Sequence, residues 1–226
     1  NGNFLLKFGS EGTGDGQFRN YPSYFVLDSL GNVFVGELGH RIQKFDSSGN
    51  FLLEWDSVDS EVGDWTDISG MCIDSYDNVY ALDAYHQGEI CVWKFDSSGN
   101  TLMKISGKGE GDGQLTTPSK LVMSTQDDLY LFDRGRGIAD CRIQKFDSNG
   151  NFLLKFGSGG TGDGQFDYPA CIVIDSQNNL YVSDPSLYRV QKFDSNGNFL
   201  LKFGSEGTGD GQFDYPGRIA CFPRSI

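Results

Sequence analysis

Gly150-Asn151-Phe152-Leu153-Leu154 is the stretch that decides the fold, because the chain repeats it. The same five residues begin at Gly2, Gly49 and Gly197, and Gly99 opens the variant Gly-Asn-Thr-Leu-Met, so the starts fall 47, 50, 51 and 47 residues apart. Residues 149–169 and 196–216 differ at one position only, Gly159 against Glu206. Self-similarity at a fixed period makes one supersecondary unit the element to read.

One unit reads as four short strands. Residues 24–28 are apolar and form a first strand, Ser29-Leu30-Gly31-Asn32 is a turn, and Val33-Phe34-Val35 is a second strand. Residues 41–45 form the third, Asp46-Ser47-Ser48-Gly49-Asn50 turns the chain, and residues 51–55 form the fourth. These runs are too short, and too rich in aromatic and β-branched residues, for helices. Glycine and asparagine in the turns suit positive φ. None of the strands alternates cleanly between apolar and polar, as expected of a sheet packed on both faces. Four strands per unit at this period point to an all-β propeller. The first strand, most uniformly apolar, belongs innermost. Lys7, Glu54, Lys104, Lys155 and Lys202 fall in register on the fourth, where lysine discourages edge-to-edge pairing.

The run Gly164-Gln165-Phe166, Pro169, residues 172–175, Asn179-Leu180-Tyr181-Val182, Asp184 and Arg189-Val190-Gln191-Lys192-Phe193 resembles the NHL repeat, and the pattern recurs across nearly the whole chain. The resemblance implies a propeller, usually of six blades, whose first strands line a central channel. Residues 1–226 then form one domain with complete blades at about 10–56, 57–105, 106–156 and 157–203, and a partial blade shared between 204–226 and 1–9. Blade two departs most, with Glu61-Val62-Gly63-Asp64-Trp65 in place of the Gly-Gln-Phe segment. Residues 3–8 read as a fourth strand and residues 218–222 as a first, with nothing between them. That favours a fragment of a larger propeller over strands supplied by partner chains. Any targeting segment would have been removed or would lie upstream.

Composition narrows the function. Among 226 residues, 31 are glycine and 14% aromatic, which suits many strands and tight turns rather than disorder. A net charge of −13 repels phosphate backbones and anionic membrane surfaces, so neither nucleic acid nor membrane insertion is expected. The five cysteines, Cys72, Cys91, Cys141, Cys171 and Cys221, have no zinc spacing and sit in apolar runs as small core residues. No metal or cofactor is expected. The glycine-rich loop 157–164 lacks the Lys-Ser/Thr of a phosphate loop, and the Asp-Ser-x-Gly-Asn turns lack calcium-loop spacing. Asp133 and Asp184 end second strands, with Glu37 and Asp83 in register, and Arg41, Arg142 and Arg189 open third strands. Their repetition argues for structure, because an active site needs one constellation. His40 and His86 are the two histidines, both in loops, and no Ser-His-Asp or Cys-His set assembles.

Variation is concentrated in two places, the loop between second and third strands and the start of the first strand, where Tyr24, Gly70, Lys120, Cys171 and Arg218 stand in register. In a propeller both lie around the channel mouth. The candidate ligand-binding residues are therefore Tyr24, Tyr85, His86, Lys120, Arg134, Arg136, Tyr188 and Arg218. The expected function is a non-catalytic scaffold that binds a protein, peptide or glycan of basic or neutral character, with no enzyme activity. The alternative is a metal-dependent propeller hydrolase or lyase with its site in the channel. By analogy with acidic, Asn/Gly-rich repeats, the compartment is extracellular or the cell surface.

Overall fold

The computed structural model describes residues 2–19, 21–37, 41–56, 68–83 and 90–220. Two compact units divide the chain, residues 1–106 and 107–226. Unit one carries blade one (Pro22–Leu27, Val33–Glu37, Arg41–Phe45, Phe51–Asp56) and blade two (Ile68–Ile73, Val79–Asp83, Cys91–Phe95, Thr101–Ser106). Unit two carries blade three (Pro118–Met123, Leu129–Asp133, Arg142–Phe146, Phe152–Phe156) and blade four (Cys171–Ile174, Leu180–Asp184, Arg189–Phe193, Phe199–Phe203). Every blade is an antiparallel meander whose sheet order follows the sequence. The helical residues described are two single 3-10 turns, Ile138–Asp140 and Pro185–Leu187.

Burial follows the order of the strands. Second strands are buried almost throughout, as in Val79–Asp83 and Leu129–Asp133, because neighbours cover both faces. First strands of adjacent blades approach each other within each unit, which makes them the inner edges. Fourth strands alternate between half-buried and exposed, as in Phe51–Asp56. This alternation is absent from their sequence: Leu52, Leu102, Leu153 and Leu200 are apolar yet face outward at the outer edge. Residues 3–8, read as a fourth strand, form none, although Phe8 stacks on Phe45 at 4.9 Å. Residues 218–220 likewise form no strand, and 221–222 lie outside the described residues.

The hairpin turns share one chemistry. Asp46 Oδ1 accepts from the amides of Ser48 and Asn50 at 2.8 Å, and Oδ2 accepts from Asn50 Nδ2 at 2.8 Å. Asp28, Asp74, Asp96, Asp147, Asp175 and Asp194 repeat the arrangement with the asparagine four residues on. A left-handed residue sits before each asparagine: glycine near φ 80° at 31, 49, 99, 150 and 197, Asp77 and Asn178 at φ 63°. The carboxylate oxygens are occupied by amides, so these are turns and not calcium loops.

Two blades join through an apolar layer sealed at both edges. In unit two, Tyr130, Phe132 and Ile143 of blade three are buried against Ile172, Leu180, Val182 and Phe193 of blade four. In unit one, Phe34 and Ile42 meet Ile68, Met71, Val79 and Phe95. Near the inner edge, Asp77 of blade two accepts from Ser29 N at 2.8 Å and Ser29 Oγ at 2.7 Å, and Asn178 of blade four accepts from Thr125 N at 2.9 Å. Near the outer edge, Trp55 stacks on Phe95 at 5.9 Å and Phe156 on Phe193 at 5.3 Å, each ring lying over the next blade's turn glycine.

The glycine-rich connections are held by the glutamine of the third strand. Gln191 Oε1 accepts from Gly164 N at 2.9 Å while its Nε2 donates to Gln165 O at 2.7 Å. Gln43 and Gln144 do the same for Gly16 with Gln17 and for Gly113 with Gln114. The loop read as a blade connection is therefore pinned by two bonds from a buried side chain. Blade two has Trp93 where its neighbours have this glutamine, in the same blade whose sequence lacks the Gly-Gln-Phe segment.

Two outcomes are expected. Gly197→Ala places a Cβ 2.3 Å from the Phe156 ring at a residue with φ 80°, so urea unfolding should show a loss of roughly 1–3 kcal/mol. The second concerns acid. Asparagine side chains hold Asp46, Asp96, Asp147 and Asp194 below their ordinary 3.8, helped by turn amides. Carboxylates depressed by folding contribute stability that is complete above the unfolded pKa and disappears as pH falls through the folded values. The melting temperature should hold from pH 7 to about 5 and fall below about 4. Asn→Ala at 50, 100, 151 and 198 together should lower the plateau and flatten that acid limb.

Candidate functional site

First-strand starts and second-to-third loops share one end of each blade, because the first two strands are antiparallel. Pro22 pairs with Glu37, Pro118 with Asp133 and Cys171 with Ser183. A buried carboxylate organises this end. Asp133 Oδ1 accepts from Thr117 N at 2.7 Å and Thr116 N at 3.1 Å, and Oδ2 accepts from Arg142 Nη2 at 3.2 Å. Asp184 accepts from Asp167 N at 2.8 Å and Tyr168 N at 3.0 Å. Glu37 accepts from Arg19 N at 2.8 Å, Arg41 Nε at 2.8 Å and Gln43 Nε2 at 2.7 Å. Arginines that open third strands pair with acids that end second strands at Glu37–Arg41 and Asp133–Arg142, and both pairs are buried. Arg189 instead donates to Thr161 O, Gly162 O and Gln165 O, each at 2.9 Å. These carboxylates fix the segment entering the first strand, and their oxygens are committed to donors.

In unit two this end carries a cleft of about 300 Å³ between blades three and four, bordered by Thr117, Arg134, Arg136, Cys141, Tyr168 and Pro169. The Arg134 guanidinium lies over the Tyr168 ring at 4.6 Å and makes long bonds to Tyr168 Oη (3.4 Å) and Pro169 O (3.5 Å). Its Nε is buried without a hydrogen-bond partner. A stacked cation beside a cleft suits an oxyanion or carbonyl oxygen. Cys141, at the same wall, is buried with Sγ 3.6 Å from Arg134 O, and burial pushes its thiol up from the ordinary value, which disfavours the thiolate.

Two of the eight predicted residues, Arg134 and Arg136, line this cleft; Arg136 is exposed and paired with Glu110 at 3.0 Å. Lys120 is half-buried in the first strand of blade three, and Arg218 is exposed. Tyr188 follows a 3-10 turn at φ 51°, and the nearby Glu206 carboxylate raises its phenol pKa. Tyr24 packs, partly buried, against the layer between blades one and two. Tyr85 and His86 lie outside the described residues, as does His40. Sequence reasoning missed Tyr168 and Thr117. The Tyr-Pro pair recurs at 21–22, 168–169 and 215–216, so it reads as scaffold, yet only Tyr168 has an arginine to stack on among the described residues.

No protein-family model matches the chain, and no curated protein does. Solved structures do. A catalytically inactive virginiamycin B lyase from Staphylococcus aureus with quinupristin superposes with TM-score 0.59 at 12% identity, over 85% of this chain and 56% of that one. A gluconolactonase from Xanthomonas campestris gives 0.55 at 16%, over 79% and 60%. A Bacteroides caccae protein of unknown function gives 0.55 at 7%, over 79% and 58%. The fold is that of a β-propeller. This chain spans a little more than half the length of these structures.

The neighbours correct the sequence reading on one point. The expectation that the chain is no enzyme does not stand, since propellers of this fold include a lyase and a gluconolactonase. That expectation rested on the absence of a hydrolytic triad and of metal ligands at the mouth, a test of two catalytic constellations within about half the length of such a propeller. Among the described residues no three His, Cys, Asp or Glu side chains converge, and the carboxylates of Asp133 and Asp184 are bonded to backbone amides.

Asp133→Ala should cost about 3 kcal/mol in chemical denaturation, because it strips Arg142 of its buried partner and frees two amides.

Proposed function

We propose that the chain is part of an NHL-like propeller enzyme of the hydrolase or lyase class, acting on a ring-closed ester at the blade end that holds Arg134. The Arg134–Tyr168 cleft carries this reading, since it offers a guanidinium held over an aromatic ring at the wall of the cleft. Lyase and lactonase neighbours support the class, and the third-strand glutamine stitch gives the repeat a consistent structural logic. In this role Arg134 polarises the substrate carbonyl and stabilises the charge that develops on its oxygen. Tyr168 keeps the guanidinium in place, and Thr117 offers a hydroxyl beside it, though that hydroxyl already donates to Gly135 O at 2.8 Å.

The decisive experiment presents gluconolactone, virginiamycin B and a panel of simple lactones to residues 1–226, with and without divalent cations, and follows ring opening by chromatography. Turnover that falls about 100-fold in kcat/KM for Arg134→Ala, with smaller losses for Tyr168→Phe, is the expected result. Tight binding of these compounds with no turnover, or turnover indifferent to Arg134, would sink the proposal.

A further inference from the structure

The fourth strand of blade three and the connection after it, residues 149–169, match those of blade four, residues 196–216, except that Gly159 stands where Glu206 does. Parallel pairing identifies this place in every connection: Glu11 pairs with Phe18, Lys108 with Leu115, Gly159 with Phe166 and Glu206 with Phe213. Three of these residues carry a long charged side chain, and the one after blade three carries none.

The residue across from it changes as well. Asp133 pairs with Arg142 and Asp184 with Arg189, so Cys141 and Tyr188 hold equivalent positions just ahead of a third strand. In blade four the Tyr188 phenol donates to the Glu206 carboxylate, and a Cβ on Gly204 would stand 2.7 Å from Tyr188 O. A phenol thus spans from the third strand to the connection. In blade three both ends of that span are cut back, to a thiol and to a hydrogen atom. The loop is also longer, residues 134–141 against 185–188, and its turn Ile138–Asp140 rests on Ser158–Gly159. Between them lies a cleft of about 320 Å³ whose lining comes entirely from residues 110–158, within unit two.

The chemistry of the lining selects a ligand. Two cations border the cleft, and both are committed: Arg142 to Asp133 and the carbonyls of Glu110 and Gln114, Lys155 to Asp112 at 2.5 Å. The cleft is therefore not built for an anion. It offers apolar wall from Ala139, Cys141 and Phe156, with carboxylate acceptors at Glu110 and Asp140. An aromatic ring bearing a hydroxyl donor matches both.

We propose that this cleft binds a small phenol, whose ring takes the place that the Tyr188 side chain takes in blade four and whose hydroxyl donates to a carboxylate of the lining. The site does not rest on the lactone reading. Gly135 and Cys141 border both this cleft and the one at Arg134, so loop 134–141 is the partition between them, and a bound ring braces the wall that carries Arg134.

A heteronuclear NMR titration of residues 1–226 with p-cresol, the tyrosine side chain as a free molecule, tests this. Saturable shifts are expected at the amides of Gly135, Cys141 and Gly157, with a Kd of roughly 1 mM for so small a ligand. Cys141→Tyr combined with Gly159→Glu installs the blade-four pair, and Ala139→Trp fills the cleft from an exposed position. Each variant should weaken binding by about tenfold or more. Dispersion in the same spectra reports folding, and Ala139→Trp carries the test if the double variant does not fold. No saturable shift up to roughly 10 mM overturns the proposal. So do shifts centred on Arg134 and Tyr168, or binding unchanged in a folded variant.

Discussion

A four-stranded blade cannot bury itself. Its sheet has two apolar faces, and every residue of a strand such as Leu129–Asp133 points to one or the other. Stability comes from stacking, in which the face of one sheet becomes the floor of the next. The layer between blades three and four shows the solution at its fullest: aromatic rings at the outer edge, a side-chain cap on the inner turn, and aliphatic residues between. The short strands, the glycine turns and the outer-edge lysines all serve this requirement.

The site depends on the same stacking through a polar intermediary. Arg134 is reached by following the chain from a buried second strand, past Asp133, into a loop whose width is set by the bonds of that aspartate. The ring beneath its guanidinium belongs to the next blade, where Asp184 fixes the amide of Tyr168. A cleft wall assembled from two blades is rigid only as far as those carboxylates hold both segments. The repeated acids therefore act on the site at one remove. They place the groups that vary while their own oxygens are bonded to backbone amides and arginine.

The four-stranded blade was legible because it rests on local chemistry: turn residues at fixed offsets and short apolar runs. The Asp-to-Asn turn was legible as a turn, although the capping of the neighbouring blade by Asp77 and Asn178 was not, since it crosses about 50 residues of sequence. The Gln43, Gln144 and Gln191 stitches were hidden for a similar reason, each looking like an ordinary polar residue on a strand. At the mouth, arginines at 134 and 136 stood out by varying between repeats, and the structure puts both on one cleft. Tyr168 escaped because it lies in a repeated pair, and variation was the signal followed. Tyr24 also varies in register, and it packs, partly buried, against the apolar layer between blades one and two. The exclusion of catalysis failed because it treated part of a ring as if it were the whole catalytic inventory.

The near-identity of residues 1–18, 149–166 and 196–213 also bears on how the chain is made. Segments this alike bind a given third strand almost equally well, so affinity alone does not match each to its blade. During synthesis each emerges beside the strands it belongs with, and folding from nearby strands fixes the match. In refolding from denaturant all are released at once and compete on equal terms, so order of emergence, rather than any difference in affinity, keeps the blades in register on the ribosome.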